Sequence, residues 1–256
     1  MGKLLPAIVL LLLVGVAGWR LWQRNAEAGD LAKLPGSERV ARARKAREEI
    51  LRAQCQRFGL PYPPREIFLR AFKQEAELEV WAREDAGPWK ALMTLPVLAS
   101  SGGPGPKRRE GDRQVPEGFY RVDRFNPESA FHLSLGIDYP NASDRILSDR
   151  ERPGGDIFIH GKMVTIGCLP LGDAGIEELY LLALDTRERG QKSIPVHIFP
   201  ARMSGERWAK YSASHPDLQA FWAQLQPAYE AFERTRQLPA ITVDARGHYV
   251  VGTGRE

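Results

Sequence analysis

The segment Asp156–Leu169, DIFIHGKMVTIGCL, carries residues whose types and spacing could do chemistry. An apolar run delivers His160 beside Gly161, and eight positions later (168 − 160) the pair Gly167-Cys168 follows. Cysteine chemistry needs a thiolate, and a neighbouring imidazole can supply one by taking the thiol proton. A short loop between the two is expected to bring both side chains within hydrogen-bond reach. Gly167 lets the backbone approach a substrate carbonyl closely, and amides around Cys168 could form an oxyanion hole. Leu169-Pro170-Leu171 offers an apolar backing that excludes water. Spacing alone leaves a second reading open, an edge-strand histidine bonded to a carbonyl beside a buried cysteine. Metal ligation by the same pair lacks a third and fourth ligand at zinc-like spacing, so no metal and no cofactor is expected.

The chain around this segment has the composition of a globular protein. Of its 256 residues, 43% are hydrophobic and 27% charged, which excludes disordered and fibrous classes. The net charge of +4 is spread over the chain, with its densest run at Arg39–Arg47, and no zinc-finger or RNA-binding signature accompanies it. Nucleic acid is therefore not an expected partner; an acidic wall polymer or a membrane surface fits the charge equally well. Lys3 precedes an apolar stretch from Leu4 to Trp22, broken only by Pro6, small residues and Arg20. That length suits an inner-membrane anchor over residues 4–22, and Ala26-Glu27-Ala28 offers the alternative of a cleaved signal peptide. Either way the body is expected to be exported to the periplasm or cell envelope. Two cysteines make no disulfide framework. Cys55 lies on an apolar helical stripe and reads as a core thiol.

Periodicity places the elements that must position the pair. Ser37–Phe58 reads as an amphipathic helix capped by Ser37 and ended by Gly59 and Pro61. Strands are expected at Ile67–Ala71, Leu78–Ala82, Lys90–Ala99, Gly118–Asp123, Phe131–Ile137 and Asp156–His160. The Gly- and Pro-rich stretch Ser100–Arg109 is a loop; it lacks the G-K-[ST] ending of a phosphate cradle. Asp173 is expected to cap a helix bearing Ile176, Leu179, Tyr180, Ala183 and Leu184 on one face. Ile194, Val196 and Ile198 alternate as a strand. A last helix spans about Pro216–Arg236, kinked or divided at Pro227, with Trp222, Tyr229 and Phe232 as packing residues. A hairpin of Ile241–Val243 and Tyr249–Val251 ends the chain. His132, His197, His215 and His248 read as structural. The class is α+β.

The stretch His160-Gly161 … Thr165-Ile166-Gly167-Cys168 resembles the active-site signature of L,D-transpeptidase (YkuD-type) catalytic domains, H-G followed by [S/T]-x-G-C. The YafK-like branch is more similar still, through Phe72-Lys73-Gln74-Glu75, Gly105–Asp112, Gln114–Tyr120, Arg124–Pro127, Leu133–Asn141 and Ile176–Tyr180. The resemblance runs from about Pro61 to about Met203. It implies a mixed β-sandwich of the YkuD-type L,D-transpeptidase fold with flanking N- and C-terminal helices. The organisation it suggests is a signal or anchor at 1–29, an amphipathic helical segment at 30–60, a catalytic domain at 61–203, and a helical extension with hairpin at 204–256.

The same resemblance implies that Cys168 attacks a carbonyl of a diaminopimelate-containing peptidoglycan stem peptide. His160 would be the base, oriented by a backbone carbonyl at Gly161, with Gly167 completing the catalytic set. An amine would resolve the acyl-enzyme by transpeptidation, or water by hydrolysis, with a wall-linked lipoprotein as a further partner. A catalytically silent peptidoglycan-binding module is the alternative. Two departures bear on the direction of reaction: Ile166 stands where the broader family carries a second histidine, and Pro170 where Arg or Asn is common. Lys107, Arg108, Arg124 and Thr165 are the expected substrate-binding residues, the cations as partners for stem-peptide carboxylates.

Overall fold

The computed structural model describes residues 36–252. The region expected to be an anchor or signal lies outside them; among the described residues no helix is long and apolar enough to cross a membrane. In chain order the elements are α1 (Gly36–Arg57), β1 (Glu66–Phe72), β2 (Glu77–Arg83), β3 (Lys90–Pro96), β4 (Gly118–Asn126), β5 (Ser134–Ile137) and α2 (Ala142–Leu147). They continue with β6 (Phe158–His160), β7 (Leu169–Pro170), α3 (Gly172–Glu188), β8 (Pro195–Phe199), α4 (Gly205–Ala213), α5 (Gln219–Thr235), β9 (Ile241–Val243) and β10 (Tyr249–Val251).

The fold is α+β, and the first eight strands form one mixed sheet in the order β3-β2-β1-β8-β4-β5-β6-β7. Only β1–β8 and β6–β7 pair in parallel. A register shift between Val122 and Arg124 bends β4 where the two halves of the sheet meet. Leu69 and Val80 from one half then share a single core with Leu135 and Ile159 from the other. The curl brings the segment after β3 against the far edge, where the amide of Leu98 donates to the carbonyl of Pro170 at 2.8 Å. The outer edge of β3 is met by α1, whose Gln54 amide donates to the Leu92 carbonyl at 2.6 Å.

The strand β1, EIFLRAF, is buried on both faces. Ile67, Leu69 and Ala71 enter the core with α1 and α3, while Phe68 and Phe72 face the aromatic side chains of α5. The C-terminal region is thus the cover of the sheet's second face. Arg70 lies on that face with its guanidinium 2.8 Å from Glu233 and 4.6 Å from the Phe232 ring centroid.

Several element boundaries depart from the pattern. Helix α1 begins at Gly36, so Ser37 lies inside it. The strands expected to begin at Phe131 and Asp156 start only at Ser134 and Phe158, and β3 stops at Pro96. Pro227 sits inside a continuous α5 and leaves it undivided, and Pro216–Leu218 forms a 3₁₀ turn before it. Pro227 and Ala223, whose carbonyl loses its partner, both lie on the exposed side where water can satisfy the group. Helices α2 and α4 have no counterpart in the periodicity reading.

Glu117, fully buried, ties these parts together. Its carboxylate accepts from Lys73 Nζ at 2.8 Å, the Gly105 amide at 2.9 Å and Trp222 Nε1 at 2.7 Å. The end of β1, the Gly/Pro loop and α5 therefore converge on one charge. Glu117→Ala leaves the Lys73 ammonium buried without its counter-charge, so urea denaturation should show a stability loss of about 3–5 kcal/mol.

Candidate active site

The parallel pair β6–β7 sets Ile159 beside Leu169 and His160 beside Pro170. Cys168 immediately precedes β7, and its Sγ accepts from the amide of Phe158 at 3.4 Å, two residues before His160 in β6. The fold thus sets the nucleophile candidate beside the start of the strand that ends in His160. His160 Nδ1 lies 2.6 Å from the carbonyl of Gly161. A carbonyl only accepts, so Nδ1 carries the hydrogen and Nε2 keeps its lone pair. Burial depresses the His160 pKa, while the bond to Gly161 pulls weakly the other way. The imidazole is neutral at neutral pH, the state in which it can take a proton.

The thiol is neutral as well. Burial pushes the Cys168 pKa up; the Phe158 amide, donating to sulfur at 3.4 Å, opposes this, Asp156 adds to it, and Lys107 offsets a further part. The resting pair is a thiol beside an imidazole, without an ion pair. No hydrogen bond joins Cys168 to His160 among the described residues. The Sγ is turned instead toward the carbonyl of Asp156 at 3.7 Å. Such bonds commonly tighten only when substrate binds.

The loop between the two residues is fixed at several points. Asp173 Oδ1 accepts from the Lys162 amide at 2.9 Å, and the Gly172 amide donates to the Lys162 carbonyl at 3.0 Å. Asp173 was expected to cap the following helix, but Leu171 occupies the cap position and the carboxylate holds the loop between His160 and Cys168. The Thr165 hydroxyl accepts from the amides of Gly167 at 3.2 Å and Cys168 at 2.8 Å, and donates to the Cys168 carbonyl at 2.8 Å. Both amides expected to line an oxyanion hole are therefore spent on Thr165, whose side chain competes for local backbone donors. Gly167 has φ +131°, and a Cβ there would meet the Gln114 carbonyl at 3.0 Å. What its missing side chain admits is this carbonyl. Ile166 points away from the core at 79% exposure, with Met163 and Val164 exposed beside it.

Of the cations expected to bind substrate, Arg124 contacts two residues that neighbour the thiol. Its Nη1 is 2.9 Å from Asp156 Oδ1 and its guanidinium 4.8 Å from the Phe158 ring, and both residues touch the sulfur of Cys168. Half of its side chain is exposed, leaving donors available to a carboxylate. Lys107 is buried and paired with Asp112 at 2.7 Å, so it acts on the site through its charge. Arg108 is held by Asp144 at 3.0 Å and lies over the Phe221 ring. The other histidines sit elsewhere or serve packing: His197 is buried among Phe68, Phe119 and Phe199. Cys55 is buried, with its thiol pushed up to about 11 by desolvation.

Periodicity missed Phe131, whose ring centroid lies 4.7 Å from that of His160, and the supporting roles of Gln114 and Asp173. Gln114 does lie within the Gln114–Tyr120 stretch that carries the family resemblance. Among the described residues no three His, Cys, Asp or Glu side chains group as a metal site.

Residues 77–198 match the YkuD family, the L,D-transpeptidase catalytic domain. The chain is 35% identical over 187 residues to the YafK protein of Escherichia coli strain K12, whose name assigns it to the L,D-transpeptidases without establishing the activity; the match covers 72% of this chain and 73% of that one. The corresponding protein of Escherichia coli O157:H7 matches to the same extent. Among solved structures, the helical cell shape determining protein Pgp2 from Campylobacter jejuni is 19% identical with a TM-score of 0.43, over 70% of this chain and 73% of that one. Bd1075 of Bdellovibrio bacteriovorus is 20% identical with a TM-score of 0.38, over 67% and 60%. The sequence matches show that this chain belongs to the YkuD-type L,D-transpeptidase catalytic-domain family.

Proposed function

We propose that the protein is a cysteine acyltransferase of the cell envelope that acts on peptidoglycan stem peptides through a thioester at Cys168. The observation that carries this reading is the Cys168 sulfur at 3.4 Å from the Phe158 amide, at the start of the strand that ends in His160, with Nδ1 of the imidazole held by the Gly161 carbonyl. The family supports peptidoglycan as substrate, and the apolar N-terminal sequence supports an exported location.

In the reaction His160 Nε2 takes the Sγ proton as sulfur attacks the carbonyl carbon. The C–S bond forms, the C–N bond breaks, and the leaving amine receives the proton from the imidazole. A second amine, or water, then attacks the thioester, giving up its proton through His160 and returning the thiol. Arg124 offers its exposed guanidinium to a stem-peptide carboxylate near the attacked bond. Because thiol and imidazole both rest neutral, the proton moves with attack, and no preformed thiolate is required. His160 acts as general base, a contribution of roughly 10²–10⁴-fold.

Cys168→Ala should abolish every change that the wild-type protein makes in purified sacculi, read by chromatography of muropeptides. New cross-links would identify an amine acceptor, and cleaved links or released proteins would identify water. Unchanged products in the variant would sink the enzyme reading.

The pH behaviour follows from the two shifts. A depressed His160 pKa keeps the base unprotonated until pH falls below about 6.5, so the acid limb of kcat/KM should lie under the ordinary imidazole value. A raised Cys168 pKa means that alkylation by iodoacetamide, which needs the thiolate, should still be climbing above about pH 8.5. An alkylation rate already level at neutral pH would contradict the neutral pair.

A further inference from the structure

Helix α1 lies wholly outside the residues that match the family, yet its contacts lead to His160. Arg39, 5% exposed, reaches from α1 into the loop before β5. Its Nη1 donates to the carbonyls of Ser129 at 2.7 Å and His132 at 2.8 Å, with that of Pro127 at 3.4 Å. One turn before, Gly36 sits so close to Pro127 and Glu128 that a Cβ would approach them to 2.8 Å. The loop therefore rests on the first turn of the helix.

That loop is the wall behind the imidazole. Leu133 accepts from the Gly161 amide at 3.2 Å, and a Cβ on Gly161 would meet the Phe131 carbonyl at 2.6 Å. The Phe131 ring packs at 4.7 Å from the His160 ring. Lys162 Nζ donates to the Ala130 carbonyl at 3.0 Å from the other side. The loop's conformation also needs support, because His132 sits at φ +75°, a region costly for a residue with a Cβ. Two contacts hold it there. Arg39 binds its carbonyl, and Glu177 Oε1 lies 3.0 Å from its Nε2. Burial would raise the Glu177 pKa, but hydrogen bonds from His132 and Arg47 of α1 overcome it and keep the carboxyl below its ordinary value.

We infer that Arg39 is a positioning residue for His160: α1 clamps the Pro127–Leu133 loop and, through Phe131 and the Gly161 backbone, fixes the imidazole that serves Cys168. The inference rests on the proposed function only for the role of His160 as base. Arg44 provides the internal comparison. It docks the same helix through a two-bond ion pair with Asp185, Nη1 at 2.7 Å and Nη2 at 2.5 Å, but touches no residue of the loop. A merely structural role for Arg39 would make the two arginines equivalent.

The test uses the full chain as Arg39→Ala, Arg39→Lys and Arg44→Ala. Nitrogen-15 NMR of the His160 ring should give the Nδ1–H tautomer in wild type and Arg44→Ala, and a mixture of tautomers in Arg39→Ala. On stem peptides, Arg39→Ala should lower kcat by about 10²-fold with KM nearly unchanged, the scale of a misplaced catalytic group. Arg39→Lys should recover little, since the lysine side chain ends one atom short of the Nη1 that meets the carbonyls. Arg44→Ala should lower the thermal midpoint yet keep kcat. A wild-type tautomer signal in Arg39→Ala, or an equal kcat loss in Arg44→Ala, overturns the proposal. Absence of turnover in wild type would count against the proposed function, while the NMR readout would still decide the positioning.

Discussion

A buried carboxylate must be met by donors, and Glu117 is met by three from distant parts of the chain. Lys73 comes from the end of β1, the Gly105 amide from the Gly/Pro loop, and Trp222 from α5. Lys73 also binds the carbonyls of Gly105 and Val115, at 2.7 and 3.0 Å. These contacts give the Ser100–Arg109 loop a single path although it has no regular structure. The path ends at Gln114, whose carbonyl lies against Gly167 beside Cys168. One buried charge thus couples the cover of the sheet to the floor of the site. Bonds between a charge and buried donors are stiff in a low-dielectric interior, which suits a contact that fixes geometry at a distance.

The local devices of the site were legible in the sequence to different degrees. His160, Gly161, Gly167 and Cys168 stood out because residue type and spacing are one-dimensional properties. Residue type alone did not reveal where the polar groups point. Thr165 looked like a substrate contact, yet its hydroxyl closes the turn that carries Cys168. Asp173 looked like a helix cap, yet it serves the loop across from it. Arg108 and Arg124 were indistinguishable as sequence; burial and partner separate them, Asp144 for one and the Asp156–Phe158 edge for the other.

The elements divide in a similar way. Strands β1 and β2 and helices α1 and α3 declared themselves through long apolar patterns that burial then enforces. Helix α2 spans only six residues; its signal was local, the reciprocal capping of Asn141 and Asp144. Helix α4 is nine residues long and buries only Trp208, so its apolar pattern has few positions in which to repeat. In α5 the proline rule failed because Trp222, Leu225, Tyr229 and Phe232 hold the helix against the sheet across the missing hydrogen bond.

The closure of the sheet has a consequence for the protein in a crowded compartment. A sheet edge with unused amides and carbonyls is a template on which another polypeptide can add a strand, the first step of edge-to-edge aggregation. Here Leu98 occupies the Pro170 carbonyl at one border and Gln54 occupies Leu92 at the other. The chain thereby fills, with its own residues, positions that an unrelated extended peptide would otherwise take. Extended peptides are in this way left the face that carries His160 and Cys168 rather than the borders of the framework.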